Sequence, residues 1–267
     1  FIKLQDSLFI KYQIEFNETN GKVSGYSFTD FGGEHETKSR IIGDYDQRSK
    51  QISFKEVEMI YTKSPVSLDD FDFCNVNFIS KRFKLGSDKM SGNFKGLFSD
   101  GTKCLDGEIA LSSVEKIQKR VDKFTKKIKK SNRIADSIKE KAQNIKIIDT
   151  LNLNVLKKNE ITSIPTFSKS IKLLIYDGGQ IDDDVVSIFQ DGKTVLTRYR
   201  ISASKKVIEI PVIKNLTRIK ILSESVGSIG SNTAIIEVLD GNNTIKTMTN
   251  LKKGETTEID ILKKKSK

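Results

Sequence analysis

Residues 176–196 read YDGGQIDDDVVSIFQDGKTVL, five aspartates and three glycines around one apolar run. Asp191-Gly192 separates DVVSIFQ from KTVL, and an Asp-Gly pair between two such runs marks a turn between strands. The acids before Val185 follow another apolar run, IKLLIYD, so they fall in a strand-connecting loop. Asp side chains in such loops cap backbone N–H groups. The same acids suit a second use. Hard cations take several oxygens from a flexible loop. Asp177, Asp182 and Asp184 are therefore a candidate metal set, with calcium the candidate cofactor, although the D-x-D-x-D-G pattern with its closing Glu is missing.

Outward from this stretch, residues 149–267 continue as short runs: KVIEIPV, TRIKILS, NTAIIEVLD, TIKTMT and TEIDIL. Turns at Asp240-Gly241 and Lys253-Gly254 punctuate them. About eight short strands at this spacing predict a sandwich of two sheets.

Upstream, residues 112–148 change period. Val114, Ile117, Val121, Phe124, Ile128, Ser131, Ala135, Ile138, Ala142 and Ile145 alternate steps of three and four. That is one stripe along a long helix. Ser112 with Glu115 predicts a capping box at its start. Residues 113–148 carry a net charge of +8 out of +11 for the whole chain, so the basic character belongs to this connector. The expectation is that the stripe packs on a flanking β domain and the lysines form a solvated face. The alternative is a partner surface or coiled coil, with Lys119, Lys123, Lys126, Lys127 and Lys130 as the binding residues.

Residues 1–111 alternate again. KVSGYSFTD, RIIGDYD, QISFKEVEMIYT, FCNVNFISKRFK and GEIAL are β-branched and aromatic, with turns at Asn20-Gly21, Gly32-Gly33, Ser87-Asp88 and Asp100-Gly101. Seven or eight strands predict an antiparallel meander, closed as a barrel or packed as a sandwich. Gly92, Gly96, Gly101 and Gly107 do not make a phosphate loop, which needs a strand before it and a helix after it; they read as a hairpin with glycines where a sheet bends sharply. The fold class is therefore mainly β in three parts: an antiparallel β domain (1–111), a basic helical connector (112–148) and a β-sandwich (149–267).

Composition limits the chemistry. The chain of 267 residues implies about two domains. No run approaches the ~20 apolar residues of a membrane-spanning helix. The only histidine is His35, in the loop GGEHET, so a Ser-His-Asp or Cys-His site has one possible base. HExxH, paired CxxC, Walker A and dinucleotide motifs are missing. Two acidic loops, Asp69, Asp70 and Asp72, and Asp182–Asp184, leave a carboxylate-based hydrolase as a minor reading, and there is no Trp to hold a sugar. Nucleic acid is not expected, since Phe124 is the only aromatic of the connector and belongs to its apolar stripe.

LLIYDGGQIDDDVVSIFQDGKTVLTRYRI, with NLTRIKILSESVGSIGSNTAIIEVLDG and KGETTEIDIL, resembles a C-terminal β-sandwich domain found on exported bacterial cell-envelope proteins. Its pattern D-x-G-x-x-D-G-D-x-V-S-V-x-x-N-G, then G-S-x-x-x-N-T-A, is met here by Asp177, Gly179, Asp182, Asp184, Val186, Ser187, Gly192, Gly227, Ser228, Asn232, Thr233 and Ala234. Asp183 stands where the pattern has Gly, and Asp191 where it has Asn. The resemblance covers about 100 residues. It implies export, to the periplasm, the outer membrane or the cell surface. Phe1 in place of Met agrees, since signal-peptide removal leaves such an end.

Export in turn favours a Cys74–Cys104 disulfide over two thiols. The two cysteines are expected two strands apart at the same end of the sheet, so that one reaches from a loop. Asp6-Ser7-Leu8, Asp136-Ser137-Ile138 and Asp149-Thr150-Leu151 are similar to an O-glycosylation acceptor triplet of exported bacterial proteins. The function expected is a non-catalytic accessory component of an envelope assembly that binds other envelope proteins. The alternative is a module for an anionic lipid or glycan built on the N-terminal β domain, where a barrel can enclose one ligand.

Overall fold

The computed structural model describes the chain apart from residues 5–8, 31, 67–71, 131–152, 179–182, 227–231 and 265–267. The fold is mainly β with one described helix. Nine strands form the N-terminal part: β1 (Ile2–Leu4), β2 (Phe9–Ile10), β3 (Tyr12–Thr19), β4 (Lys22–Thr29), β5 (Thr37–Asp46), β6 (Gln51–Thr62), β7 (Asn75–Ser80), β8 (Lys89–Leu97) and β9 (Lys103–Ser112). They are antiparallel in the order β3-β4-β5-β6-β7-β8-β9-β1-β2. Asn20 and Gly21, at φ 53° and 80°, make the two-residue hairpin that pairs Thr19 with Lys22.

Alternation puts Val23, Ile41, Phe54, Phe78, Phe94 and Ile109 on one face, where they form a buried core. The sheet curls around this core far enough that β2 and β3, its two edge strands, are separated in the chain by Lys11 alone. No ladder joins β3 to β9 among the described residues, so the curl is an open one and not a closed barrel.

The C-terminal part is a two-layer sandwich. Its strands are β10 (Asn154–Leu156), β11 (Ile161–Thr166), β12 (Ser170–Asp177), β13 (Val185–Gln190), β14 (Lys193–Arg200), β15 (Lys206–Pro211), β16 (Leu216–Ser225), β17 (Ala234–Asp240), β18 (Asn243–Thr249) and β19 (Thr256–Lys263). One layer runs β14-β13-β16-β19-β11 and the other β10-β18-β17-β12-β15. Ile188, Ile221 and Ile259 of the first layer and Leu173, Ile236 and Val238 of the second share one buried core. Asp191 and Gly192, at φ 48° and 81°, turn β13 into β14.

The two β parts are joined through β6, a strand of 12 residues, about twice the usual length. One end lies in the N-terminal ladder. At the other, Thr62 pairs with Ser163 of β11, and Ile60 and Tyr61 enter the sandwich core. Lys63 follows with its side chain 2% exposed, its Nζ 3.1 Å from Glu160 Oε2 and donating to Val155 O at 2.8 Å.

The helix α1 (Val114–Lys130) follows β9 directly. Its N-cap is Ser113, whose Oγ accepts from the Lys116 N–H at 3.2 Å. The expected cap, Ser112, is held in the ladder opposite Lys89, so helix geometry starts one residue later than the S-x-x-E pattern implies. The rest of the predicted helix lies outside the described residues.

Candidate functional site

Cys74 and Cys104 form a disulfide with a Cα–Cα distance of 5.9 Å. Cys74 immediately precedes β7 and Cys104 lies in β9, so the bridge passes over β8 at Gly96. A Cβ on Gly96 would lie 2.5 Å from Cys74 Sγ and 2.9 Å from Cys104 Sγ. The cross-over therefore requires a residue without a side chain. Sequence reasoning paired the cysteines, but read Gly96 as part of a bend.

Asp184, from the opening stretch, serves the sandwich. Asp184 is 3% exposed and accepts the Thr233 N–H at 2.8 Å. Asn232 donates to Val185 O and Ser225 O, and its Oδ1 accepts from Thr249 Oγ1 at 2.8 Å. Ser187 Oγ accepts the Arg198 N–H at 2.9 Å and donates to Glu224. Ser187 and Asp184 thus bind backbone groups 11 and 49 positions away in sequence.

Asp183 sits at φ 68°, a left-handed conformation suited to Gly and tolerated by Asp. Of the candidate calcium ligands, Asp177 ends β12 opposite Ala234, next to the Thr233 that Asp184 caps, and Asp182 lies outside the described residues. Among the described residues no group of three or more His, Cys, Asp or Glu side chains could hold a metal.

The remaining catalytic candidates are dispersed. His35 Nδ1 is 3.3 Å from Ser64 Oγ in an exposed contact. Asp72 accepts the Ser99 N–H at 2.9 Å, and Asp69 and Asp70 lie outside the described residues. All three Asp-Ser/Thr triplets include residues outside them too.

Glu36 and Glu56 are buried carboxyls, and burial of an acid on an otherwise ordinary strand, as for Glu56, leaves no local mark in the sequence. Glu56 takes hydrogen bonds from Tyr12 Oη, Ser27 Oγ and the Val76 N–H inside the curled sheet. Its burial pushes its pKa up, against the pull of those three donors. Glu36 accepts from Tyr61 Oη at 2.7 Å and the Gly32 N–H at 2.6 Å. Burial, then the nearby Glu36 charge, raises the Tyr61 pKa.

The basic helix departs from the expectation that its stripe packs on a neighbour. No residue of α1 is buried, and Phe124 is 65% exposed. Val114, Ile117, Val121, Phe124 and Ile128 span an arc of about 80° at ~100° per residue, and cations surround it. Eight Lys and Arg against Glu115 and Asp122 give α1 a net charge of +6. Lys119, Lys123, Lys126, Lys127 and Lys130 are all exposed. Its described tether is at the first turn, where Ser113 bonds Asp88 and Lys116 Nζ lies 3.9 Å from the Asp88 carboxylate.

The interior of the N-terminal sheet is filled by side chains. On the opposite face, across β4 to β8, lies a trough of about 1180 Å³. No helix among the described residues is long and apolar enough to cross a membrane. In comparisons with known proteins, no family model, no curated protein and no solved structure matches the chain.

Proposed function

We propose that this protein is a non-catalytic accessory component of a cell-envelope assembly, exported, which binds an acidic partner protein through α1. The observation that carries the reading is the uncovered apolar stripe of α1 inside a field of lysines. A narrow stripe with steps of three and four is the seam of a helix pair. Two copies of α1 would bring +6 against +6, so the seam favours an unlike, acidic helix. The disulfide supports an oxidising compartment.

Lys119/Lys123, Lys123/Lys127 and Lys126/Lys130 are like charges four apart, each weakening the free helix by a few tenths of a kcal/mol. An acidic partner removes that repulsion. The test is recovery of partners from native membranes with the wild-type chain and with Lys119, Lys123, Lys126, Lys127 and Lys130 changed to Glu. The variant should keep the wild-type β fold by circular dichroism and lose the partner. Equal recovery of the same partners would refute the role of α1.

A further inference from the structure

The trough on the open face of the N-terminal sheet has a defined floor. Strand register places Ser24, Ile42, Lys55, Asn77 and Lys95 side by side in one row across β4 to β8. A second row runs Asp44, Ser53, Ile79 and Asn93. Both rows point away from the core, because Phe54, Phe78 and Phe94, between them in sequence, point into it. Ile42 is 43% exposed and Ile79 50%.

Lys55 and Lys95 stand two strands apart, about 10 Å at the usual strand spacing, and make no ion pair among the described residues. Asn93 likewise makes no side-chain hydrogen bond there. Lys22, at the rim, is paired with Asp44 at 2.7 Å. The unpaired Lys55, Lys95 and Asn93, together with Asn77, whose Nδ2 donates to Asn75 O at 3.3 Å, and with serine hydroxyls, therefore alternate with two isolated apolar patches along an extended, open surface.

We infer that this trough binds a linear acidic polysaccharide. The C–H faces of sugar rings would rest on Ile42 and Ile79, ring hydroxyls would bond Asn77, Asn93 and Ser53, and carboxylates on alternate sugars would meet Lys55 and Lys95. Charge complementarity selects an acidic chain. A single-stranded nucleic acid needs aromatic platforms, and neither row carries an aromatic ring, since Phe54, Phe78 and Phe94 face the core. An acyl chain needs a continuous apolar lining, and the row position between Ile42 and Asn77 is held by Lys55. The inference is independent of α1.

The test uses the full chain, with oligogalacturonate as the acidic probe and dextran as the neutral one, by calorimetric titration at low and high salt. Wild type should bind oligogalacturonate, more weakly as salt rises, and leave dextran unbound. Lys55→Gln with Lys95→Gln, and separately Asn93→Ala, should each raise Kd, the double lysine variant at least tenfold, with melting temperatures unchanged. A variant with Lys123, Lys126 and Lys127 of α1 changed to Gln should bind like wild type. Unchanged affinity in the trough variants, loss of binding in the α1 variant, or equal affinity for polyglutamate would each overturn the assignment.

Discussion

Gly96→Ala isolates the disulfide cross-over. Gly96 is not among the residues with positive φ, so an alanine there meets no backbone strain and the effect is one of contact. The new methyl would sit 2.5 Å from Cys74 Sγ, 2.9 Å from Cys104 Sγ and 2.7 Å from Leu105 O. Carbon atoms in contact prefer about 3.5–4.0 Å, so the overlap with sulfur is about 1 Å. Neither sulfur can rotate away while the bond holds it, and overpacking of this kind costs about 1–3 kcal/mol.

Closing a loop across a sequence separation of 30 contributes about 3.5 kcal/mol by the chain-entropy relation. Strain large enough to distort the bridge would erode that term too, so we expect Gly96→Ala to lose about 3 kcal/mol. With Cys74→Ala and Cys104→Ala the sulfurs are gone, and only the Leu105 carbonyl contact remains. The same substitution should then cost about 1 kcal/mol. The coupling of about 2 kcal/mol is read from a cycle of urea unfolding curves. The chain has no Trp, so far-ultraviolet circular dichroism is the suitable signal. A coupling under about 0.5 kcal/mol would refute the reasoning.

Other expectations follow from buried polar groups. Because burial raises the Glu56 pKa, the unfolded chain ionises first as pH rises, so stability falls from about pH 4.5 up through the folded pKa. Glu56→Gln, whose amide can serve Tyr12, Ser27 and Val76, should flatten that slope in unfolding curves taken from pH 4 to 8; an unchanged slope would place the titration elsewhere. Lys63→Ala leaves the Glu160 carboxylate and Val155 O without their buried cation and should cost about 3 kcal/mol. Lys63→Met should cost less, because it keeps the packing, and a denaturation series orders the two. Asp184→Ala strands the partly buried Thr233 N–H at about 2 kcal/mol, whereas Asp184→Asn keeps an acceptor. Equal melting temperatures for those two variants would remove the cap.

Strand content, the hairpin at Asp191-Gly192 and the amphipathic stripe of α1 were legible because each is a short-range property. Period two, period three-and-four and the left-handed preference of an Asn-Gly or Asp-Gly pair act between residues a few positions apart. The disulfide was within reach for another reason, since two cysteines allow a single pairing and the compartment implied by resemblance supplied the rest. The Ser112 cap was missed by one residue because the ladder with Lys89, a tertiary contact, competed with a local motif.

Everything that defines the candidate sites needed the fold. The extension of β6 to Ser163 joins residues about 100 positions apart, and no local pattern marks the end of a strand as belonging to another core. Gly96 reads as a bend until β7, β8 and β9 are set side by side, when it becomes the place where sulfur crosses a strand. Asp184 reads as one acid of an acidic loop until Thr233, 49 positions later, supplies the N–H it caps. Whether an apolar stripe is covered, or two lysines on different strands share one trough, depends on which surfaces meet. Periodicity encodes a side chain's direction along its own element, and only the assembled sheets decide what lies in that direction.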